Sequence, residues 1–426
     1  MQDYSRQFKI ISRRALRVRF HKTMTSCQFS IDGGVTWYNH NGSGEAEIHL
    51  EPGQELMIRN AVFNGGIKPF TVSSAFDVSG DLSSFGAPAN GKYGFLFANS
   101  RVVDASGLVI DCEMRQPSVC SHMFHMCSKL KFPPRLPSVE LSEGCYESMF
   151  NSCTSLETAP ELPAKEMRPL CYNRMFIGCV NLLECPELPA EVLGEGCYES
   201  MFSGCSSLEY CPRLPAMEMK NYCYNYMFAD CCKIKEPPVL PALKLGISCY
   251  KSMFMGCTML RSAPELPATN LKDMCYEGMF LRCVSLEVPP ELPAMKMANR
   301  CYSYMFNGCE SLKRCPKLPS IDLAPECYNS MFMSCQSITE IPILPAYRTS
   351  LGCYGRMFAK CNNIQNIRNI KLIDYCVYDV SYMFYGCNSN INSAFENLMK
   401  RYKAIQDRRT RFISDFLKGL RSNPSD

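Results

Sequence analysis

Long hydrophobic runs are missing from this sequence. Nowhere in its 426 positions is there an apolar stretch of about 18 residues, which a membrane-spanning helix requires. Residues 1–22 contain seven lysines or arginines and no apolar segment, which is unlike a secretory leader. With 46% hydrophobic and 20% charged residues, the composition is that of a folded chain. We therefore expect a folded protein with neither a membrane span nor a cleaved leader.

Histidine is scarce, and the familiar catalytic motifs are absent. A cysteine nucleophile usually depends on a histidine base, yet only five histidines are present and none follows position 125. There is no phosphate-binding loop, serine-hydrolase elbow, zinc-peptidase helix or dinucleotide fingerprint. The one ligand-like cluster, His122-x-x-His125-x-Cys127, is better interpreted as part of a surface cap. The sequence therefore predicts no enzyme, no cofactor and no metal site.

A large excess of either sign of charge is also missing, because the net charge is only +4. The two ends are nevertheless basic: residues 1–22 hold seven basic and one acidic side chain, and residues 391–426 hold eight and four. A nucleic-acid-binding body would spread lysine and arginine over a face. This pattern predicts basic termini that contact something acidic, and no nucleic-acid partner.

Cysteine, in contrast, is abundant and regularly spaced. A first comb of nine cysteines and a second comb of eleven, eight residues further on, each recur every 26 residues with a Met-Phe pair between them. A fixed period without insertions is typical of a solenoid whose coils bury their apolar side against each other. The first comb is Cys145, Cys171, Cys197, Cys223, Cys249, Cys275, Cys301, Cys327 and Cys353. The second is Cys127, Cys153, Cys179, Cys205, Cys231, Cys257, Cys283, Cys309, Cys335, Cys361 and Cys387.

The combs allow catalytic, metal-binding, disulfide-forming or buried cysteines. Zinc sites favour closer pairs, and no leader directs the chain to an oxidising compartment. Stacked coils would bring equivalent cysteines near enough for disulfides, so some disulfides remain an alternative. Because free cysteine packs as a small hydrophobe, we predict a structural thiol ladder from Cys145 to Cys361 in both combs.

Each coil is predicted to contain two kinds of backbone. Cys145, Met149, Phe150 and Cys153 follow helical spacing, which predicts a short helix or 3₁₀ segment. Residues 156–162 contain a proline and should be extended, with only partial strand pairing.

Two copies of the 26-residue repeat show most clearly which known repeat family the sequence resembles. Residues 201–208 and 305–312 read M-F-S-G-C-S-S-L and M-F-N-G-C-E-S-L, and L-P follows further on. This resembles the A-F-x-G-C-x-S-L…L-P unit of BspA-type leucine-rich repeats over about residues 119–387, with Met for Ala and an added C-Y. The resemblance implies a leucine-rich-repeat solenoid of the kind found on bacterial and protozoan surfaces in adhesion or partner binding.

The fold class expected is therefore α+β, with eleven 26-residue coils at 116–390 between two flanking parts. Residues 1–115 are predicted as a small antiparallel β-sandwich with a basic arm, including a strand at 16–20 and hairpins around 32–34 and 51–54. It is similar to the domain that precedes such repeats in gut Bacteroidetes proteins and their phages.

The last part, residues 391–426, is predicted as a basic amphipathic helix. The helix either caps the array or serves as an oligomerisation or docking helix. Its apolar stripe is Ile391, Phe395, Leu398, Tyr402, Ile405, Phe412 and Phe416.

Three rows of residues vary between coils, four, five and eight positions after the second-comb cysteine. They form either a solvated face or a recognition surface. Tyrosine and arginine are common in binding hot spots, and the acidic first half would repel nucleic acid and anionic lipid, so a protein or neutral glycan ligand is expected. The candidate binding residues are Phe132, Glu157, Glu161, Glu184, Glu187, Tyr210, Arg213, Arg261 and Arg314.

Together these features predict a non-catalytic binding or structural protein at a particle or cell surface. The resemblance and the missing leader favour a phage virion component, such as a tail or head fibre for host attachment, with other virion proteins bound through the basic termini. A bacterial surface adhesin is the alternative, and a glycan-acting accessory enzyme on a solenoid scaffold is a weaker one. A cytoplasmic location stays open as well.

Overall fold

Two β-sheets form the N-terminal part of the computed structural model, which describes residues 6–88, 90–111, 116–370 and 377–421. The larger sheet has seven strands in the order β10-β8-β1-β6-β3-β4, with β9 beside β6, and the smaller has the order β5-β2-β7. The strands are β1 Lys9–Ser12, β2 Leu16–Phe20, β3 Met24–Ser30, β4 Tyr38–His40, β5 Ala46–Leu50, β6 Glu55–Phe63, β7 Phe70–Val72, β8 Phe76–Asp81, β9 Gly86–Pro88 and β10 Val102–Val109. A short helix, α1 Leu82–Phe85, joins β8 to β9.

The sheets confirm part of the predicted β-domain and correct the rest. Strand β2 alternates buried and exposed residues as expected, and β3 pairs antiparallel with β4 across the predicted turn. The predicted hairpin around 51–54 is wrong, because β5 pairs with β2 in one sheet while β6 pairs with β1 and β3 in the other. Gly53 of this turn donates to the Ser12 carbonyl at 2.8 Å, which ties the turn to the end of β1. The larger sheet is also mixed, since β10 pairs in parallel with β8 and β9 pairs in parallel with β6.

The repeats stack on one another, and we term the stacked repeats the array. Phenylalanine rings form one column from Phe97 to Phe384, with ring centroids 5.0–5.9 Å apart between successive repeats. Tyrosine rings form a second column from Tyr146 to Tyr354 at 5.7–6.0 Å. Offset-parallel rings at such distances are favourable aromatic contacts. The buried side of every repeat is thus completed by its neighbours.

The segment between the two combs is a chain of tight turns, so the predicted short helix or 3₁₀ segment is wrong. Amide groups alternate between two kinds of partner. Met149 N–H donates to the Tyr146 carbonyl at 3.2 Å within one turn, whereas Phe150 N–H donates to the Met175 carbonyl of the next repeat at 2.9 Å. Because every second amide is committed to the neighbouring repeat, the i to i−4 bonds of an α-helix cannot form.

Left-handed backbone recurs every fourth residue in this segment. Ser148 and Ser152 have φ of 53° and 60°, as the third residue of a type II turn requires. A four-residue recurrence returns side chains to one face much as a helix does, which is why Cys145, Met149 and Phe150 are fully buried as the spacing predicted. The helical pattern identified the inward face but not the backbone conformation.

The opposite side of each repeat is extended, and its strand pairing is partial, as the prolines predicted. Neighbouring repeats meet there in isolated parallel bridges, for example between Glu166 and Val192 and between Asn270 and Lys296. A proline lacks the N–H that a continuous ladder needs.

The stacking begins before the predicted boundary at residue 116. Phe95 and Asn99 have left-handed φ of 63° and 51°, and Phe97 N–H donates to the Met123 carbonyl at 2.9 Å. Residues 93–100 therefore repeat the turn geometry of the array. Phe97 also stacks on Phe8, directly before β1, with ring centroids 6.2 Å apart, so the sheets and the array share one hydrophobic core.

The C-terminal end of the array is covered by the helix α2 Ser389–Arg421. Ile391 is buried, and the Phe395 ring meets the last phenylalanine of the column, Phe384, at 5.0 Å. Leu398 and Tyr402 also pack against the core. The first turns of the helix therefore cap the array. The predicted stripe residues Ile405, Phe412 and Phe416 and the tail 422–426 lie outside the described side chains and residues. No helix within the described ranges is long and apolar enough to span a membrane.

Candidate binding face and thiol ladder

All nine candidate binding residues are exposed, as the variation between repeats predicted. Tyr210 is 73% exposed and Phe132 is 47% exposed. They stand on the extended side of the array, where inward residues alternate with outward ones: Leu156 and Leu162 are buried, while Glu157 and Glu161 between them face solvent. The variable rows therefore lie on a backbone segment whose orientation is fixed by its buried side chains.

Backbone hydrogen bonds between repeats also hold this extended segment in place. Leu183 N–H donates to the Glu157 carbonyl at 3.1 Å, and Glu287 N–H donates to the Arg261 carbonyl at 3.0 Å. Side chains of adjacent repeats also meet, since Lys313 Nζ lies 2.5 Å from Glu287 Oε2. The hydrogen bond from this lysine lowers the pKa of Glu287. We term these outward rows the variable face.

The structure gathers the acidic candidates but separates the aromatic ones. Glu157 and Glu161 occupy one repeat and Glu184 and Glu187 the next, so the four exposed carboxylates lie on adjacent repeats. Tyr210, with Arg213 three residues on, follows in the repeat after that. Phe132, Arg261 and Arg314 lie in other repeats, so they do not join Tyr210 in one cluster.

A second exposed row was missed from the sequence. It consists of the residue directly after the L-P-A or L-P-S segment, where large apolar side chains face solvent beside the parallel bridges. The row was missed because apolar residues more often face inward. The sequence signal that could have revealed it is the recurrence of these residues directly after the alanine or serine of that segment. The apolar members are Val139, Met217, Leu243, Met295, Ile321 and Tyr347, which are 39–60% exposed.

The second-comb thiols share one hydrogen-bonding geometry. Cys153 Sγ–H donates to the Phe124 carbonyl of the preceding repeat at 3.1 Å, and Cys231 donates to Phe202 at 3.1 Å. The same contact recurs at 2.9–3.1 Å for Cys127, Cys179, Cys205, Cys257, Cys283, Cys309, Cys335, Cys361 and Cys387. All these cysteines are buried.

Burial makes the thiols poor nucleophiles. Desolvation raises the pKa of Cys179 and of Cys361 to about 12, far above the range in which a thiolate forms at neutral pH. The first-comb cysteines are buried in the same way, and desolvation raises the pKa of Cys301 to about 12. Their role as a purely structural ladder remains a prediction.

The histidine cluster does not assemble a site. His122 stacks on Phe95 with ring centroids 4.8 Å apart and meets His125 at 5.6 Å, while the Cys127 thiol turns inward to the Phe97 carbonyl at 3.0 Å. Burial lowers the pKa of both histidines. In the described part of the chain, no group of three or more His, Cys, Asp or Glu side chains is arranged to hold a metal ion.

Comparisons with protein-family models, with curated proteins and with solved structures find no match to this chain.

Proposed function

We propose that this chain is a non-catalytic binding protein, built as a leucine-rich-repeat solenoid of eleven 26-residue coils that presents the variable face to a ligand. One contrast supports this proposal. The residues that recur from repeat to repeat are buried in columns, whereas the residues that differ are exposed on the same stacked backbone. Extended surfaces of this kind are the usual binding sites of repeat proteins.

The solenoid interpretation draws on the backbone of the array. Repeats bond mainly to their immediate neighbours through alternate amides, and the two aromatic columns keep nearly constant spacing along the chain. Together with the BspA-type repeat motif, this geometry supports a one-dimensional stack that is covered by sheets at one end and a helix at the other.

The chemistry of the variable face favours a protein or a neutral glycan. Tyr210 provides a largely exposed aromatic surface, and Arg213 on the same segment can donate several hydrogen bonds. Tyrosine and arginine contribute disproportionately to binding hot spots. The four neighbouring glutamates would repel nucleic acid or an anionic membrane.

The setting proposed for this binding protein is a phage particle, where it would take part in host attachment. The BspA-type repeats and the similarity of the N-terminal part to domains of Bacteroidetes phages support this setting. A bacterial adhesin is the alternative. Mass spectrometry of purified virions and of host cell envelopes would distinguish the two.

The binding proposal is tested with the double variant Tyr210→Ala/Arg213→Ala. A matched control, Tyr347→Ala/Arg348→Ala, removes a Tyr-Arg pair from the row after L-P-A, where the guanidinium lies 5.7 Å from the ring centroid. The purified proteins are applied to neutral glycan arrays and to bacterial envelope proteins. We expect the first variant to lose binding while its melting temperature is unchanged, and the control to bind normally.

Two results would contradict the proposal. Equal binding by the wild type and the Tyr210/Arg213 variant would mean that the variable face is only a solvated surface. Release of reducing sugar from a bound glycan would instead support the enzyme alternative.

A further inference from the structure

A cleft lies between the N-terminal sheets and the first repeats of the array. Its volume is about 1070 Å³, and loops from both parts line it. One loop joins β1 to β2, one joins β7 to β8, one precedes β10, and the last follows Met126 in the array. The cleft is separate from the variable face.

Four cationic side chains from three of these loops line the cleft, and no carboxylate is among its described lining residues. Arg13 is paired, since its Nε lies 2.6 Å from Asp77 Oδ1. Among the residues that the structure describes, the Arg101 side chain donates one hydrogen bond, to the Ser73 carbonyl at 3.3 Å. Arg14 and Lys129 are exposed and have no ion pair within the described residues. The basic N-terminal arm, predicted to contact something acidic, thus contributes to a concentrated positive site.

Neutral donors complete the lining on a fixed backbone. Ser100 and Asn99 belong to the turn geometry that begins the array. Asn99 is held at a left-handed φ of 51°, and its N–H donates to the His125 carbonyl at 2.6 Å. Donors whose positions are fixed before binding lower the entropy cost of holding a ligand.

A half-buried lysine adds positive potential behind the cleft. Lys68 lines a small cavity that shares Asn99 and Ser100 with the cleft. Burial lowers the pKa of Lys68, as expected for an ammonium group removed from water. An anion in the cleft would offset that desolvation.

Exposed glutamates in the next repeat limit the size of the anion that the cleft can bind. Glu157 and Glu161 are exposed in the repeat that follows Lys129, so a long polyanion running along the array would meet repulsion. A single tetrahedral oxyanion would not. Arginine forks match phosphate and sulfate oxygens in geometry as well as charge.

We propose that this cleft binds a compact tetrahedral oxyanion, the phosphate or sulfate group of a small monoester. The inference does not depend on the variable face, and it adds a second ligand class to a protein proposed to bind neutral glycans or proteins. Phosphate and sulfate esters share the chemistry that the arginines recognise, so the experiment includes both.

The test is calorimetric titration of the full chain at low salt with glucose 6-phosphate, glucose 6-sulfate and glucose. We expect saturable binding of at least one ester and none of glucose. Absence of saturable binding for both esters would overturn the proposal, as would equal binding of glucose. A tighter, salt-sensitive response to a single-stranded oligonucleotide than to either ester would overturn the compact ligand.

The variant Arg14→Gln/Lys129→Gln removes two cations while keeping the side chains long and polar. The control Lys220→Gln/Lys244→Gln removes two exposed lysines that contact Glu218 at 3.4 and 3.3 Å, with the same change in net charge. We expect ester affinity to fall at least tenfold in the first variant and to change less than twofold in the control. Equal losses in both would mean general charge attraction without a site.

Discussion

Each second-comb thiol points at a carbonyl oxygen that already accepts a hydrogen bond. The Phe202 carbonyl accepts the Cys205 N–H at 3.0 Å and the Cys231 thiol of the next repeat at 3.1 Å. A thiol is a weak donor with the volume of a small hydrophobe, so it can use the second lone pair at little desolvation cost. This geometry explains why cysteine suits this position better than a purely apolar residue.

A substitution series at Cys231 tests that explanation. Cys231→Ser is expected to cost about 1 kcal/mol in the free energy of unfolding, because the hydroxyl retains the carbonyl partner. Cys231→Val is expected to cost about 2 kcal/mol, since it adds volume to a packed column and removes the donor. Urea denaturation measures both, with Cys232→Ser as the half-buried control. A valine variant more stable than the serine variant would show that the thiol bond contributes nothing.

Burial of thiols and phenols makes stability sensitive to alkali. It raises the pKa of Cys179 to about 12 and that of Tyr224 well above its ordinary value. A group whose pKa is higher in the folded state contributes fully below the unfolded pKa, about 8.5 for cysteine, and its contribution is lost as pH rises through the folded pKa. We therefore expect the free energy of unfolding to fall from about pH 9 to about pH 12.

Circular dichroism melting between about pH 7 and about pH 11 measures this dependence. The double variant Cys179→Ala/Cys361→Ala should lose less stability over the alkaline part of the range than the wild type does. A melting temperature that stays constant up to about pH 11 would contradict the prediction.

At the scale of the elements, register controls the array. The amides of Tyr146 and Phe150 donate to carbonyls of the next repeat, those of Cys171 and Met175. Only the deletion or insertion of a whole repeat preserves this pattern. Deletion of residues 198–223 joins Cys197 to Tyr224 and is expected to leave a folded chain. Deletion of residues 198–210 places turn residues against the extended side and should abolish folding. Far-ultraviolet circular dichroism and melting of both variants check this, and loss of structure in the longer deletion would refute it.

The inward residues could be predicted because turns and helices share a near-fourfold recurrence of side chains. The backbone conformation could not, since left-handed φ occurs at Ser148 and Arg174 and neither residue marks it. Glycine at Gly178 and Gly204 was the available hint, because glycine adopts positive φ without strain. The early start of the array at residues 93–100 was hidden because Leu96 and Ser100 stand where later repeats have Met and Cys.

The variable face could be predicted as exposed because unlike residues at one repeat position rarely share a buried environment. The basic cleft could not, because Arg13, Arg101 and Lys129 come from distant parts of the sequence and meet only in the folded chain. Spacing within repeats carries no information about how the sheets dock onto the array.

For the molecule as a whole, the continuous core depends on closed ends. Phe395 covers the last ring of the phenylalanine column, and Phe395→Ala is expected to cost about 2 kcal/mol, less than a fully buried phenylalanine. Exposure of Phe384 should also promote self-association through the uncovered end. Analytical ultracentrifugation over a range of concentrations measures this, with Glu396→Ala on the exposed side of the helix as control. A monomeric, equally stable Phe395 variant would argue against the capping role.

The alternate amides also determine how the chain responds to force. Bonds such as Tyr172 N–H to the Cys197 carbonyl run from one repeat to the next, so tension applied between the two ends of the array pulls along them rather than across them. Such bonds break in small groups, one repeat after another. Each detached repeat of 26 residues releases roughly 90 Å of extended chain. Under an optical trap the array would lengthen in equal steps at modest force, like an extensible tether rather than a stiff rod.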